Sequence, residues 1–402
     1  MPEKEKVMVV TLMRSDLYDA AGYAGAYLKL PAGRDVIQDA MDRARIRDGQ
    51  PYKIVECFNS QGDELSFIPD DPSLAEMNFL ARRVSEMNEH DRIAFTGCAR
   101  MGNGNMGMRD LINQMYNLDD AHAVPAKNDR ELGKFYVDND FIDAVNHVPP
   151  EYQKELLELL DYEKIGCRQR ESEGGIYHNG FYVVNGSGSW NPVYDGVHLP
   201  ELPEEPAYVF KLQLAEASFT LDNPEPEHSV PLLLPASDEE ILAALERLGA
   251  ASLDECVFHH CDSPIPALEQ AFSFSEDIDK MNLLAERIRE LEQNGELPKF
   301  KAALETACCA DIGQALNLTR NLDCYDFHPE LSSMEDYAMQ KFLDRYQIPK
   351  DAPELKLIRF SRLDFKVMEE TNLYTTAYGI IRRNDREMEL EYTQPEAGQK
   401  MV

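Results

Sequence analysis

Met77, Asn78, Leu80, Ala81, Arg83 and Glu86 recur 204 positions later as Met281, Asn282, Leu284, Ala285, Arg287 and Glu290. The same offset aligns Leu28, Leu30, Pro31 and Ala32 with Leu232, Leu234, Pro235 and Ala236, and Asn113, Asn117, Leu118 and Asp119 with Asn317, Asn321, Leu322 and Asp323. Three blocks in one register make the chain a tandem repeat, and a spacing this long makes the repeated unit a whole folding module rather than a solenoid turn. The 402-residue chain therefore has to bury its core twice.

Within each copy the hydrophobic spacing predicts a β-rich start. Strands are expected at 7–12, 26–30 and 52–58, with a helix between them carrying Val36, Ile37, Ala40 and Met41, matched by Ile241, Ala244 and Leu245. Asp71-Pro72-Ser73 opens a helix with Leu74, Met77, Ala81 and Val84 on one face, matched by Ile278, Met281, Ala285 and Ile288. Further helices are expected at 110–116, 130–140, 150–160, 311–320 and 334–346. The stretch 175–184 reads as a hairpin about Asn179-Gly180. Its counterpart is expected at 374–381, and Leu363-Asp364-Phe365 stands for Leu160-Asp161-Tyr162 at an offset of 203. These elements make an α+β chain: copy one over 1–184 (α+β to 68, helical over 69–105, α+β over 106–184), copy two over 207–383. A Gly/Ser/Pro linker with the sole Trp190 fills 185–206, where it is expected to dock on a surface, and a polar tail covers 384–402.

Charge restricts function next. There are 73 Asp and Glu against 40 Lys and Arg, a net of −33. Residues 1–200 hold 33 acids and 21 bases, a net of −12; residues 201–402 hold 40 and 19, a net of −21. Such a surface repels phosphate, so direct nucleic-acid binding is not expected. The densest basic group, Arg43, Arg45 and Arg47, is flanked by Asp42 and Asp48. The acidity suits a basic partner, including a protein whose own groove holds nucleic acid; a salt-adapted surface is the bland alternative. Eight scattered cysteines, a charged start and no long apolar stretch lead to an expected cytoplasmic protein with reduced thiols and no membrane span.

Motifs with catalytic potential fall away on inspection. Gly102-Asn103-Gly104-Asn105-Met106-Gly107 matches a dinucleotide fingerprint, but it follows an expected helix where that site needs a strand. Cys256, His259, His260 and Cys261 are chemically acceptable zinc ligands in a spacing that fits no common site, so a strand with buried thiols is expected. His178 and His228 stand alone, and no nucleophile elbow or Ser/His/Asp pattern is present. No catalytic residue, cofactor or metal is expected. A hydrolase using two carboxylates has no particular pair to favour it.

The segment Ala21-Gly22-Tyr23-Ala24-Gly25-Ala26-Tyr27-Leu28-Lys29-Leu30-Pro31 resembles the N-terminal hairpin of the ArdA antirestriction family, a Gly-rich turn leading into an aromatic strand that ends at proline. The helix Glu76–Ala81, the stretch 129–137 with Leu132-Gly133, and Leu160-Asp161-Tyr162 followed by the Asn179-Gly180 hairpin are similar to that family in the same order. Copy two keeps 280–291 and 317–327 and departs at the first hairpin, where Glu227-His228-Ser229 replaces the glycines.

The resemblance implies an elongated module of three subdomains that mimics duplex DNA, acts as a dimer, and blocks type I restriction-modification enzymes by occupying the groove of their methyltransferase core. A surplus of 33 carboxylates equals roughly 55 Å of duplex at about one charge per 1.7 Å. The expected carriers in copy one are Glu76, Glu86, Glu89, Asp119, Asp120, Glu131, Asp138, Asp140, Glu155 and Glu158. In copy two they are Asp277, Asp279, Glu286, Glu290, Glu292, Asp323, Asp326, Glu330, Glu335 and Asp336. A tandem chain of this kind is expected to act as a monomeric pseudo-dimer, with a linker-set effective concentration and two halves free to differ. The alternative function is a regulatory or scaffolding protein of a mobile element directed at another DNA-binding partner.

Overall fold

A computed structural model describes residues 5–18, 23–47, 49–102, 106–186, 190–203, 205–216, 229–269, 276–331, 333–349, 351–359 and 372–392. The first half runs β1 (Met8–Arg14), β2 (Ala26–Leu30), α1 (Arg34–Arg43), β3 (Tyr52–Asn59), α2 (Leu74–Glu86), α3 (Glu89–Met101) and α4 (Met108–Met115). It continues with β4 (Ala121–Pro125), α5 (Asp129–Asp138), α6 (Asp143–Asn146), α7 (Pro150–Leu159), α8 (Tyr162–Glu173), β5 (Ile176–His178) and β6 (Phe181–Asn185). The second half runs β7 (Phe210–Glu216), β8 (Val230–Leu234), α9 (Asp238–Leu248), β9 (Cys256–Asp262), α10 (Pro266–Glu269), α11 (Ile278–Gln293) and α12 (Leu297–Ala307). It ends with α13 (Ile312–Arg320), β10 (Tyr325–His328), α14 (Met334–Tyr346), β11 (Leu373–Thr376) and β12 (Gly379–Arg383). The chain is α+β, with small three-stranded sheets in the orders β2-β1-β3, β4-β6-β5, β8-β7-β9 and β10-β12-β11.

Local chemistry explains many of these boundaries. Ser73 and Glu76 close a capping box on α2, as Ser237 and Glu240 do on α9 and Ser333 and Asp336 on α14. Gly174 and Gly249 end α8 and α9 in the left-handed conformation. Asn179 and Gly180 both have positive φ, 49° and 83°, which is what a two-residue hairpin turn requires. In β11–β12 the pair Thr376↔Gly379 matches His178↔Phe181 of β5–β6. The counterparts are therefore offset by 198 here, and the hairpin spans the expected 374–381; Leu363-Asp364-Phe365 lies outside the described residues.

Two compact units divide the chain: Met1–Thr11, Lys29–Ala32 and Ile54–Glu204 form one, and Leu12–Leu28, Gly33–Lys53 and Glu205–Val402 the other. In the first unit α3 lies on the sheet β4-β6-β5, where Ala94, Cys98, Ala121, Ala123 and Val183 form a core. Helices α5 and α8 cross backbone to backbone: a Cβ on Gly133 would stand 1.8 Å from the Tyr162 carbonyl oxygen, and one on Gly166 1.8 Å from that of Asp129. Only glycine fits at either position. The crossing is closed by Arg170, whose Nε donates to Asp129 at 2.8 Å, and by the Tyr177 hydroxyl, which donates to the same carboxylate at 2.6 Å.

In the second unit one large core joins β7, β8 and β9 to α11, α12 and α13 through residues such as Phe210, Phe258, Met281, Phe300 and Leu316. Helix α1 belongs to this unit and is tied to it by charge. Asp35 accepts from both terminal nitrogens of Arg289 at 2.9 Å. Asp39 and Asp42 flank the Lys301 ammonium at 3.0 and 2.7 Å, and the Tyr378 hydroxyl donates to Asp39 at 2.9 Å. Lys301 and Asp39 are almost fully buried. A lysine this deep is tolerable only because two carboxylates compensate it.

The repeated asparagines have a structural use. Asn78 accepts from the Ala32 amide at 2.8 Å and donates to its carbonyl at 3.0 Å; Asn282 does the same to Ala236 at 2.7 and 3.1 Å. Asn113 accepts from Val193 and Tyr194 and donates to the Tyr194 carbonyl, while Asn317 accepts from Glu391 and Tyr392 and donates to the Tyr392 carbonyl. Asn117 pairs with the backbone of Asn191, and Asn321 with that of Glu389. A carboxamide offers one donor and one acceptor in the geometry of a peptide group, so it can stand in for a strand neighbour. These clamps revise two expectations. The linker docks through Asn191, Val193 and the buried Tyr194, while Trp190 is 47% exposed. Residues 384–392, expected to begin a loose tail, are held by Asn317 and Asn321; 393–402 lie outside the described residues.

Candidate acidic interaction surface

The carboxylates singled out from the sequence separate into two groups. One group is committed to the protein itself. Glu76 closes its capping box and accepts from the Tyr194 hydroxyl at 3.0 Å. Glu131 binds the Lys127 amide and ammonium, which hold its carboxyl below the ordinary range. Asp277 caps α11 and pairs with Lys280 at 3.1 Å; Asp336 caps α14. Glu86 pairs with Arg83, Glu292 with Arg289, Asp323 with Arg386 and Asp326 with Arg382, at 3.1, 2.9, 2.9 and 2.7 Å. Glu330 stands 3.4 Å from His328.

The rest are exposed: Glu89, Asp119, Asp120, Asp138, Glu155 and Glu158 in the first unit, and Asp279, Glu286, Glu290 and Glu335 in the second; Asp140 is exposed too and has an interaction within the fold. Helical geometry arranges several of them in rows. Asp279, Glu286 and Glu290 are spaced seven and four residues apart on α11, which places them on one face with axial rises of about 10 and 6 Å. Glu155 and Glu158, together with exposed Glu151, form a similar row on α7. Burial raises the Asp279 pKa, reinforced by Asp277 and Asp254. The row on α7 carries about one charge per 5 Å and that on α11 about one per 8 Å, both sparser than the charge per about 1.7 Å of a duplex. Any resemblance to DNA has to be the sum of several rows.

Several basic side chains are drawn into pairs within the fold, while others, Lys29, Arg34, Arg109, Lys134 and Lys154 among them, are exposed. Arg43 bonds Asp39 at 2.8 Å, Arg92 reaches Glu5 at 2.9 Å and Arg287 reaches Glu391 at 3.0 Å. Arg45, the centre of the densest basic group in the sequence, is 9% exposed. The acid cluster of α1 was missed at the sequence level. Its signal was there, because Asp35, Asp39 and Asp42 are spaced as one helical face, but nothing local marks Lys301 as its partner.

Burial pushes the thiols of Cys57 and Cys261 up to about 12 and that of Cys98 to about 11, which leaves them weak nucleophiles. Cys256–Asp262 is strand β9, as expected. Gly102 follows α3 and Gly107 precedes α4, so the glycine-rich stretch joins two helices; 103–105 lie outside the described residues. Among the described residues no His, Cys, Asp or Glu group could hold a metal, and no helix is long and apolar enough to cross a membrane. No known family model matches the chain, and no curated protein is significantly similar to it.

Proposed function

We propose that the chain is a DNA mimic: two tandem ArdA-like copies forming an elongated pseudo-dimer that inhibits a type I restriction-modification enzyme in the cytoplasm. It would do so by occupying the DNA groove of the methyltransferase core. The observation that carries this reading is the arrangement of exposed carboxylates in helical rows on α7 and α11, with Arg43, Arg287, Arg289 and Lys301 drawn into pairs within the fold. Recurrence of the Asn78/Asn282 and Asn113/Asn317 clamps supports two copies of one module. A distributed carboxylate surface would meet the Lys/Arg lining of a DNA groove with fast, salt-sensitive association and no covalent chemistry.

The test is plasmid transformation of a host that restricts unmodified DNA by a type I system. Expression of the full chain is expected to restore transformation. Neutralising Glu155, Glu158, Asp279, Glu286 and Glu290 together to Gln or Asn reduces the protection strongly, and any one of them alone reduces it little. A chain that gives no protection, or one inactivated by a single neutral substitution in these rows, would sink the reading.

A further inference from the structure

In the second unit α1 fills a groove lined by Pro264, Ile265, Ile288, Arg289, Leu297 and Lys301, and leaves only about 20 Å³ of free space there. At the 204 offset those positions correspond to Ser60, Gln61, Val84, Ser85, Ile93 and Gly97. Ser60, Gln61, Val84 and Ile93 line an open cavity of about 370 Å³ in the first unit, bounded also by Arg92, Thr96, Arg100 and His178. The hairpin offset of 198 adds a further match, because Asn179 of this cavity corresponds to Ala377, which neighbours the Tyr378 that meets α1. The same groove thus exists twice, once filled and once open.

The helix that fills it also exists twice. Asp35, Gln38, Asp39 and Asp42 of α1 correspond to Glu239, Leu242, Ala243 and Glu246 of α9. Asp39 is buried and Asp35 and Asp42 are largely covered, whereas Glu239, Ala243 and Glu246 are exposed and Leu242 is 59% exposed. The chain therefore carries one unused helix face and one unused groove, and their counterparts form a pair within it.

We infer that α9 of a second copy of this chain docks in the open groove of the first unit, so that the protein self-associates head to tail. Charge supports this occupant. The filled groove offers Arg289 and Lys301 beside Glu292 and Glu305 to an acidic helix. The open one offers the exposed Arg100 beside Asp63 and Glu89 to another, with Arg92 at its rim paired to Glu5. At the centre, where Asp39 meets Lys301, α9 presents Ala243 towards the position of Gly97, so neither surface strands a charge. Gly97 itself is filled in by Val183, whose side chain would lie 2.7 Å from a Cβ there. Leu242 supplies the apolar anchor for a floor that includes Val84, Ile93, Phe95 and Phe181. The contact is heterologous: each chain added presents the same free face and groove again.

Sedimentation velocity of the full chain over a range of concentrations tests this, in about 0.15 M salt, where a Debye length of about 8 Å screens the repulsion between acidic chains. Mass is expected to rise with concentration. Leu242→Asp with Glu246→Arg on the helix, or Gln61→Glu with Arg100→Glu on the groove, each weakens association about tenfold or more. All four residues are exposed, and circular dichroism checks that the variants fold. Mixing the two variants restores a dimer, since one intact α9 then meets one intact groove. A wild-type chain that stays monomeric at its highest soluble concentration overturns the inference. So does association that both variants leave at the wild-type level, or a mixture that forms no dimer.

Discussion

Asn317 carries more than its size suggests. It is buried, and its carboxamide takes the place of a neighbouring strand for Glu391 and Tyr392. Replacing it with alanine leaves two amides and a carbonyl without that partner, and is expected to destabilise the second unit by about 1–3 kcal/mol, read by urea denaturation. Asn317→Asp keeps the acceptor but loses the donor, so it should remain destabilising. Lys301 is a sharper case. Lys301→Met removes the ammonium from Asp42 and leaves Asp39 only Arg43 and Tyr378, and should cost roughly 3 kcal/mol, whereas adding Asp42→Leu to it returns part of the loss. Asp129 sets a pH dependence in the first unit. Hydrogen bonds from Arg170 and Tyr177 hold its carboxyl below the usual value of 3.8. A depressed folded pKa contributes stability that is full above the unfolded value and is lost as pH falls through the folded one. Asp129→Asn should therefore flatten the acid limb of an unfolding curve below about pH 4. The asparagines were legible in the sequence as repeats, though not as clamps, because a carboxamide's backbone partner lies 46 to 81 residues away. Lys301 was not legible at all, since a lysine between Phe300 and Ala302 reads locally as the polar face of a helix.

Among elements, the crossing of α5 and α8 depends on two missing side chains. Gly166→Val would drive a branched side chain into the Asp129 carbonyl, forcing the helices apart at a cost of about 1–3 kcal/mol or more. Faster amide hydrogen exchange confined to α5, α8 and the adjacent β4-β6-β5 sheet is the expected readout. Periodicity was a good guide to elements of this kind. Strand β2 falls at 26–30 and α14 at 334–346, the bounds expected from the hydrophobic spacing. Hairpin β11–β12 covers the expected 374–381 even though Asn179-Gly180 has become Ala377-Tyr378, so its aromatic and β-branched residues carried the signal without the turn pair. The segment after β12 is polar in composition yet held in place, because Met388 and Tyr392 pack on the core and the backbone between them is clamped. Composition reports solvation, not backbone partners.

At the scale of the whole molecule, the net charge of −33 was plain from the sequence, but not its division into committed and exposed carboxylates. Glu76, Glu131 and Asp277 look like surface acids in a composition count, and each is occupied with a helix terminus. The acids left at the surface are spread over α3, α5, α7, α11 and α14 and over the turn before β4, so recognition by them has to be collective. The most direct test is a competition experiment with a purified type I methyltransferase core and a labelled DNA duplex carrying its target sequence, titrated with the full chain at several salt concentrations. The DNA-mimic account predicts displacement of the duplex, with an apparent affinity that falls steeply as salt rises. Failure to displace DNA, or displacement indifferent to ionic strength, would contradict it.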